Sequence, residues 1–165
     1  MILLDDKRIE RTIKRMSYQI LEEIRNSPVH LAGINERGYL VAGKIKSILE
    51  NISSGAFPLS RVKADTHSEF EFESPVNAND ILILIDDVIF SGNTMYKAIE
   101  KIGELTRFKK VFVVVLIDRG HRNIPIQAEI VGKYVPTKLN EHIELVIKNN
   151  NLEKITLTKQ LETKK

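Results

Sequence analysis

Two uninterrupted apolar runs, Ile81–Ile85 ("ILILI") and Val111–Ile117 ("VFVVVLI"), restrict the fold more than anything else in these 165 residues. Neither alternates polar with apolar, so each reads as a strand covered on both faces. Between them Met95, Ile99, Ile102 and Leu105 recur at three- and four-residue steps, which predicts a helix from about Asn93 to Leu105. A strand, a helix and a second buried strand make a parallel crossover unit, the building block of α/β sheets with helices on both faces.

The flanking sequence extends that pattern. Ile9, Ile13, Met16, Ile20 and Ile24 predict an amphipathic helix over residues 7–26, stopped by Asn26-Ser27-Pro28. "VHLAGI" (Val29–Ile34) reads as a short strand, "NERG" (Asn35–Gly38) as a turn, and Tyr39–Leu49 as a helix. Residues 51–60 read as loop and Arg61–Ala64 as a strand, while "SEFEFES" (Ser68–Ser74) alternates like an exposed strand. "AEIVGKYV" and "EHIELVI" alternate too, as strands near a sheet edge do. The chain is sized for one domain, taken as residues 1–150, with residues 151–165 as a polar, loosely attached C-terminal tail.

Composition narrows the function classes. Apolar and charged fractions of 42% and 28% are those of a globular domain. With no cysteine, disulfides, thiolate metal sites and cysteine nucleophiles are excluded. No apolar run has membrane-span length, and "MILLDDKRIERTIKRM" lacks the basic-then-apolar order of a signal peptide, so a cytoplasmic, non-membrane protein is expected. The net charge of +3 is mild but clustered, with Arg8, Arg11, Lys14 and Arg15 on the first helix and Lys159, Lys164 and Lys165 at the end. Such clusters suit anionic ligands, and they equally suit a solvated helix face and a frayed terminus.

The chemistry is concentrated in "ILILIDDVIFSGNT". Ligands of open α/β sheets sit beyond the carboxyl ends of the strands, which is where Asp86 and Asp87 emerge. Ser91-Gly92-Asn93-Thr94 then leads into a helix whose first amide groups suit an anion, with Gly92 allowing close backbone approach and Ser91 and Thr94 adding hydroxyls. Acids for vicinal ribose hydroxyls beside a phosphate cradle fit a sugar phosphate. Two plainer explanations fit the same residues: an Asp-Asp strand end before a capped helix, and a phospho-acceptor aspartate pocket of the receiver type.

The same stretch resembles the phosphoribosyl-pyrophosphate (PRPP) signature of type I phosphoribosyltransferases. "LIDRGHRNIPIQAEIVGKYVPTKLNEHI" (Leu116–Ile143) is similar to the matching region of the bacterial pyrimidine-operon attenuator proteins, which double as uracil phosphoribosyltransferases. "RIERTIKRMSYQILEEI" and "LAGINERGYLVAGKI" follow that family as well, so the similarity spans most of residues 7–147.

The resemblance implies a Rossmann-like parallel-sheet fold with a short hood and flap, and transfer of ribose phosphate from PRPP to a nucleobase, uracil by family. It implies that Asp86 and Asp87 hold the ribose hydroxyls and that Ser91, Gly92, Asn93 and Thr94 hold the 5′-phosphate. Asn35, Glu36, Arg37 and Gly38 align with the pyrophosphate loop, with Arg37 neutralising the leaving group and Mg²⁺ entering mainly with PRPP. Asp118 is a candidate metal ligand that ends its strand beside Arg119, although a strand-end ion pair explains these two residues as well. Lys133 and the Val135 backbone are candidates for base recognition. Lys14, Arg15, Arg122 and Lys133 are candidate contacts for leader RNA, and a homodimer or larger assembly is expected.

The pattern departs from the family in several places. Asn35-Glu36 stands for Lys-Thr in the pyrophosphate loop, and Asn93 for an Arg in the phosphate turn. Tyr18 stands for a His and Gln127 for an Arg. "RVKADTHSEFEFESPVN" replaces the Tyr-Arg-Asp-Asp segment at the base of a shortened flap, where Asp65 could stand in for one acid.

Overall fold

A computed structural model describes residues 1–161. Its core is a five-stranded parallel sheet built from β2 (Val29–Ile34), β3 (Leu59–Val62), β4 (Ile81–Ile89), β5 (Lys110–Asp118) and β6 (Ile130–Tyr134), in the order β3-β2-β4-β5-β6. Around it lie the helices α1 (Asp6–Ile24), α2 (Asn35–Ile52) and α3 (Asn93–Ile102).

Two hydrophobic clusters explain why β4 and β5 do not alternate. Ile81, Ile83 and Ile85 point with Phe112, Val114 and Leu116 into the layer formed with α1 and α2. Leu82 and Leu84 point with Val113 and Val115 to the opposite layer, where Met95, Ala98 and Ile102 of α3 cover them. Every residue from Ile81 to Asp86 is therefore buried.

Strand order runs outward one way from β2 to β3 and the other way from β4 through β5 to β6. The order reverses between β2 and β4, so the carboxyl ends of these two strands define a switch point of the kind where open α/β sheets bind ligands.

A second, antiparallel sheet, β1 (Ile2–Asp5), β8 (Asn151–Lys159) and β7 (Glu141–Lys148), forms a hood beside that edge. Here the tail expectation is corrected, because residues 151–159 are strand β8, paired to both β7 and β1. Leu152 and Ile155 are buried among the core residues. Asn149 and Asn150, at φ of 50° and 60°, make the tight two-residue turn that returns the chain. Asn tolerates left-handed backbone at modest cost. Lys164 and Lys165 lie outside the described residues.

Two further expectations change. "NERG" is not a turn but the first turn of α2, which begins at Asn35. "SEFEFES" forms no strand among the described residues. Its phenylalanines are held by stacking instead, Phe70 edge-on to Phe72 at 4.8 Å and Phe72 edge-on to Phe108 at 5.6 Å.

Beneath that stack His30 Nε2 donates to Asp80 Oδ2 at 3.0 Å, and the same oxygen accepts the Asn77 amide at 2.8 Å. Both side chains are buried, and His30 Nδ1 has no hydrogen-bond partner. Asp80→Ala strips the buried His30 and the exposed Asn77 amide of their acceptor. A loss of about 2 kcal/mol of folding stability in urea titration is expected, since one stranded buried group costs about 1–3 kcal/mol.

Candidate active site

At the switch point a cleft of about 570 Å³ is lined by residues from every layer of the molecule. Asp86 and Asp87 come from β4, Asn35, Glu36 and Arg37 from the first turn of α2, and Thr94 from α3. Asp65 follows β3, and His142, Glu144 and Leu145 come from the hood strand β7. The two acids, the pyrophosphate-loop residues and one member of the phosphate turn are thus brought together. Ser91, Gly92 and Asn93 precede Thr94 in the chain and are not among the residues that line the cleft. Asp65, raised above as a stand-in for one flap-base acid, lies in the cleft, and His142 and Glu144 join it without having been singled out as site residues.

Local geometry holds each part. Gly38 packs directly under the acids, and a Cβ there would lie 2.8 Å from Ile85 O and 2.9 Å from Asp86 Oδ1. Gly92 takes φ +87° and precedes α3; the Asn93 amide donates to Ser91 Oγ at 3.2 Å, which leaves the Thr94 and Met95 amides for an anion. The turn is braced from behind. Asn123 N donates to Ser91 O at 2.8 Å, and Arg122 Nη1 donates to Phe90 O at 2.9 Å. Asn35, at φ +54°, donates from Nδ2 to Asp65 Oδ2 at 3.0 Å and accepts the Ala64 amide at 2.8 Å, which ties the first turn of α2 to the segment after β3.

The two acids differ in burial. Burial, and next the neighbouring Asp87 charge, push the Asp86 carboxyl well above the usual carboxylate range. Asp86 Oδ1 accepts the Asp87 amide at 2.8 Å, while Asp87 is half-buried and faces the cleft. Between the ordinary aspartate range, where the unfolded chain ionises, and the raised value in the fold, the folded state holds more proton. The stability that proton carries is present at the acid end and is lost as pH rises through the folded value. Asp86→Asn is therefore expected to flatten this slope and to melt higher than wild type above neutrality. Thermal melts from about pH 5 to about pH 8 check this.

Other candidates are placed differently. Both oxygens of Asp118 are gripped by the Arg122 fork, at 3.0 and 2.8 Å, and Oδ1 also accepts the Gly120 amide at 2.9 Å. That carboxylate is held internally rather than offered to a metal, and the Arg122 guanidinium is turned inward rather than toward RNA. Arg119 is buried, donating from Nε to Thr137 Oγ1 at 2.8 Å and lying 4.1 Å above the Phe90 ring.

Beside Asp118 a second cleft of about 450 Å³ is lined by Arg122, Pro125, Ile126, Tyr134 and Pro136. Alternation along β6 and its extension sends Tyr134 and Pro136 into it, while Lys133 and Val135 fall on the other parity. The Val135 amide is already donated to Asp118 O at 2.8 Å. Arg15 donates to Gly132 O at 2.5 Å and to Gln19 Oε1 at 2.7 Å, which sets α1 against the edge strand near the exposed Lys14 and Lys133.

An acid pair at a switch point, Thr94 of a glycine turn and an arginine in one cleft have the chemistry that suits a phosphorylated sugar. Residues 2–142 match the phosphoribosyl transferase domain family. The bifunctional protein PyrR of Streptococcus mutans is 39% identical over 151 residues, covering 86% of this chain and 85% of its own. Its counterpart in Latilactobacillus sakei is 34% identical over 160 residues, covering 88% and 89%. Among solved structures, the hypoxanthine phosphoribosyltransferase of Trypanosoma cruzi superposes with a TM-score of 0.72 at 16% identity, covering 96% of this chain and 95% of that one. A hypoxanthine-guanine phosphoribosyltransferase from Bacillus anthracis gives 0.71 at 16% identity, covering 96% and 97%. This chain belongs to the phosphoribosyl transferase family, among the PyrR proteins, and has the type I fold.

Proposed function

We propose that the protein forms uridine monophosphate from uracil and PRPP, releasing pyrophosphate. One observation carries this reading: Asp86, Asp87, Thr94 and Arg37 line a single cleft. A pentose seated there meets the Asp87 carboxylate at its vicinal hydroxyls, the amides before α3 at its 5′-phosphate and the Asn35–Arg37 turn at its pyrophosphate.

As pyrophosphate leaves the anomeric carbon the sugar gains cationic character. The fixed negative charge of Asp87 stabilises that state, and Arg37 stabilises the departing anion. Positioning by the turn and the loop supplies much of the remainder.

Five carboxylates, Glu36, Asp65, Asp86, Asp87 and Glu144, line the cleft with one arginine. That set suits an anion carrying its own cation, and Mg²⁺ bound to the pyrophosphate would offset its developing charge. The mostly apolar cleft beside Asp118 supports a flat base, with Tyr134 and Ile126 at its walls. Uracil is taken from the family resemblance. Pyrophosphate release from PRPP against a panel of bases tests it: turnover with uracil is expected, and turnover confined to a purine overturns the choice of base.

A second role, RNA-dependent attenuation, has its own support in Arg15, which bonds Gly132 O and so sets α1 against β6 near the exposed Lys14 and Lys133. Filter binding with pyrimidine-operon leader RNA, with and without uridine monophosphate, tests it. Weak binding equal to that of unrelated RNA overturns it.

A further inference from the structure

The leaving-group site is already occupied by part of the protein. Arg37 Nη2 lies 3.1 Å from Glu144 Oε1, and Arg37 Nε donates to Leu145 O at 3.0 Å. The first turn of α2 is thereby tied to the hood strand β7. Both charged side chains are about half exposed, at 46% and 51%, so the pair can open without disturbing the core. Glu144 also lines the same cleft as the acid pair.

We infer that Glu144 is an internal competitor for the pyrophosphate site. Its carboxylate takes the position on Arg37 that a phosphate oxygen needs, so PRPP must displace it. Once displaced, Glu144 is an unpaired anion facing the leaving group, and it recaptures Arg37 as pyrophosphate departs. The backbone bond from Nε to Leu145 O lets the guanidinium keep its place while Nη2 changes partner. Glu144 thus sets affinity for the diphosphate end of the substrate and leaves the ribose-5-phosphate end alone. The inference rests on the phosphoribosyl-transfer reading, because it needs pyrophosphate to meet Arg37.

Glu144→Gln keeps the size and an acceptor oxygen but removes the charge. Calorimetric titration of the full chain with PRPP and Mg²⁺ is expected to show about fivefold tighter binding in the variant. That is the upper range for an exposed ion pair, with repulsion of the incoming anion relieved as well. Binding of uridine monophosphate, which lacks the diphosphate, is expected to stay within about twofold of wild type. The PRPP difference is expected to shrink from about 0.05 M to about 0.5 M salt as screening grows, which loss of a merely structural contact would not produce. Unchanged or weaker PRPP binding in the variant, with uridine monophosphate still bound, overturns the inference alone. Failure of wild type to bind either compound overturns the transferase reading and the inference with it.

Discussion

Asp87→Asn is expected to lower kcat/KM for PRPP about 10²- to 10³-fold while leaving the fold intact. Asparagine has the shape of aspartate, and the Asp87 amide keeps its bond to Asp86 Oδ1 at 2.8 Å. What disappears is the charge. Hydrogen bonds from ribose hydroxyls to a carboxylate contribute about 1.5–3 kcal/mol each, against roughly half that for a neutral acceptor. The cationic sugar loses a fixed counter-charge in a partly dry cleft, an effect of about 3–4 kcal/mol in comparable sites. Each 1.36 kcal/mol is about a factor of ten in rate, which gives the stated range. Steady-state assays of pyrophosphate release measure it, with a thermal melt to show that the variant is folded. A loss below about tenfold would remove Asp87 from the transition-state account.

Gly38→Ala is expected to damage both stability and activity. An added Cβ would lie 2.8 Å from Ile85 O and 3.2 Å from Asp86 Cα, both main-chain atoms of the central strand. Since β4 cannot yield, the first turn of α2 must lift away. Overpacking of this kind costs about 1–3 kcal/mol. The displaced turn carries Asn35, Glu36 and Arg37 out of line with the acid pair, and a misplacement of about 1 Å costs roughly 10²-fold in rate. Gly43 supplies the control within the same helix. A Cβ there meets nothing within 4 Å, so Gly43→Ala is expected to stabilise the protein by up to about 1 kcal/mol through helix propensity and to leave turnover unchanged. Urea titration and initial rates on the two variants separate a clash at the site from a general effect on α2.

The central layer was legible because its signal is burial. "ILILI" and "VFVVVLI" admit little besides strands covered on both faces, and Ile9 through Ile24 mark one helix face. Asp86 and Asp87 could be assigned to the ligand edge because strand ends have fixed places in such sheets, whereas Arg37 was reached only through the family resemblance.

Periodicity was a poorer guide where pairing partners decide the outcome. "SEFEFES" has the alternation of a strand, but Phe72 stacks on Phe108 and Phe70 on Phe72, and no ladder forms there among the described residues. "NLEKITLTK" looks like a polar tail, because Leu152, Ile155 and Leu157 are too few to announce a strand. β8 exists because β1 and β7 flank it, and a register shift at Val146 and Ile147 blurs the period of its partner. Tyr134 and Pro136 line the second cleft and Lys133 and Val135 do not, because a one-residue difference in parity reverses which face a side chain takes. Glu144 and His142 were invisible as site residues, since only the docking of the hood brings β7 over the end of β4. The Asn149-Asn150 turn was a readable signal for that hairpin.

The central claim is that the amides opening α3 grip a 5′-phosphate while the β4 acids hold the attached ribose. An amide-resolved NMR titration with uridine monophosphate tests it most directly. The account predicts that the largest shifts fall on Gly92, Asn93, Thr94 and Asp87, with β8 amides such as Thr156 unmoved. Saturable binding that leaves residues 91–94 unperturbed would contradict it.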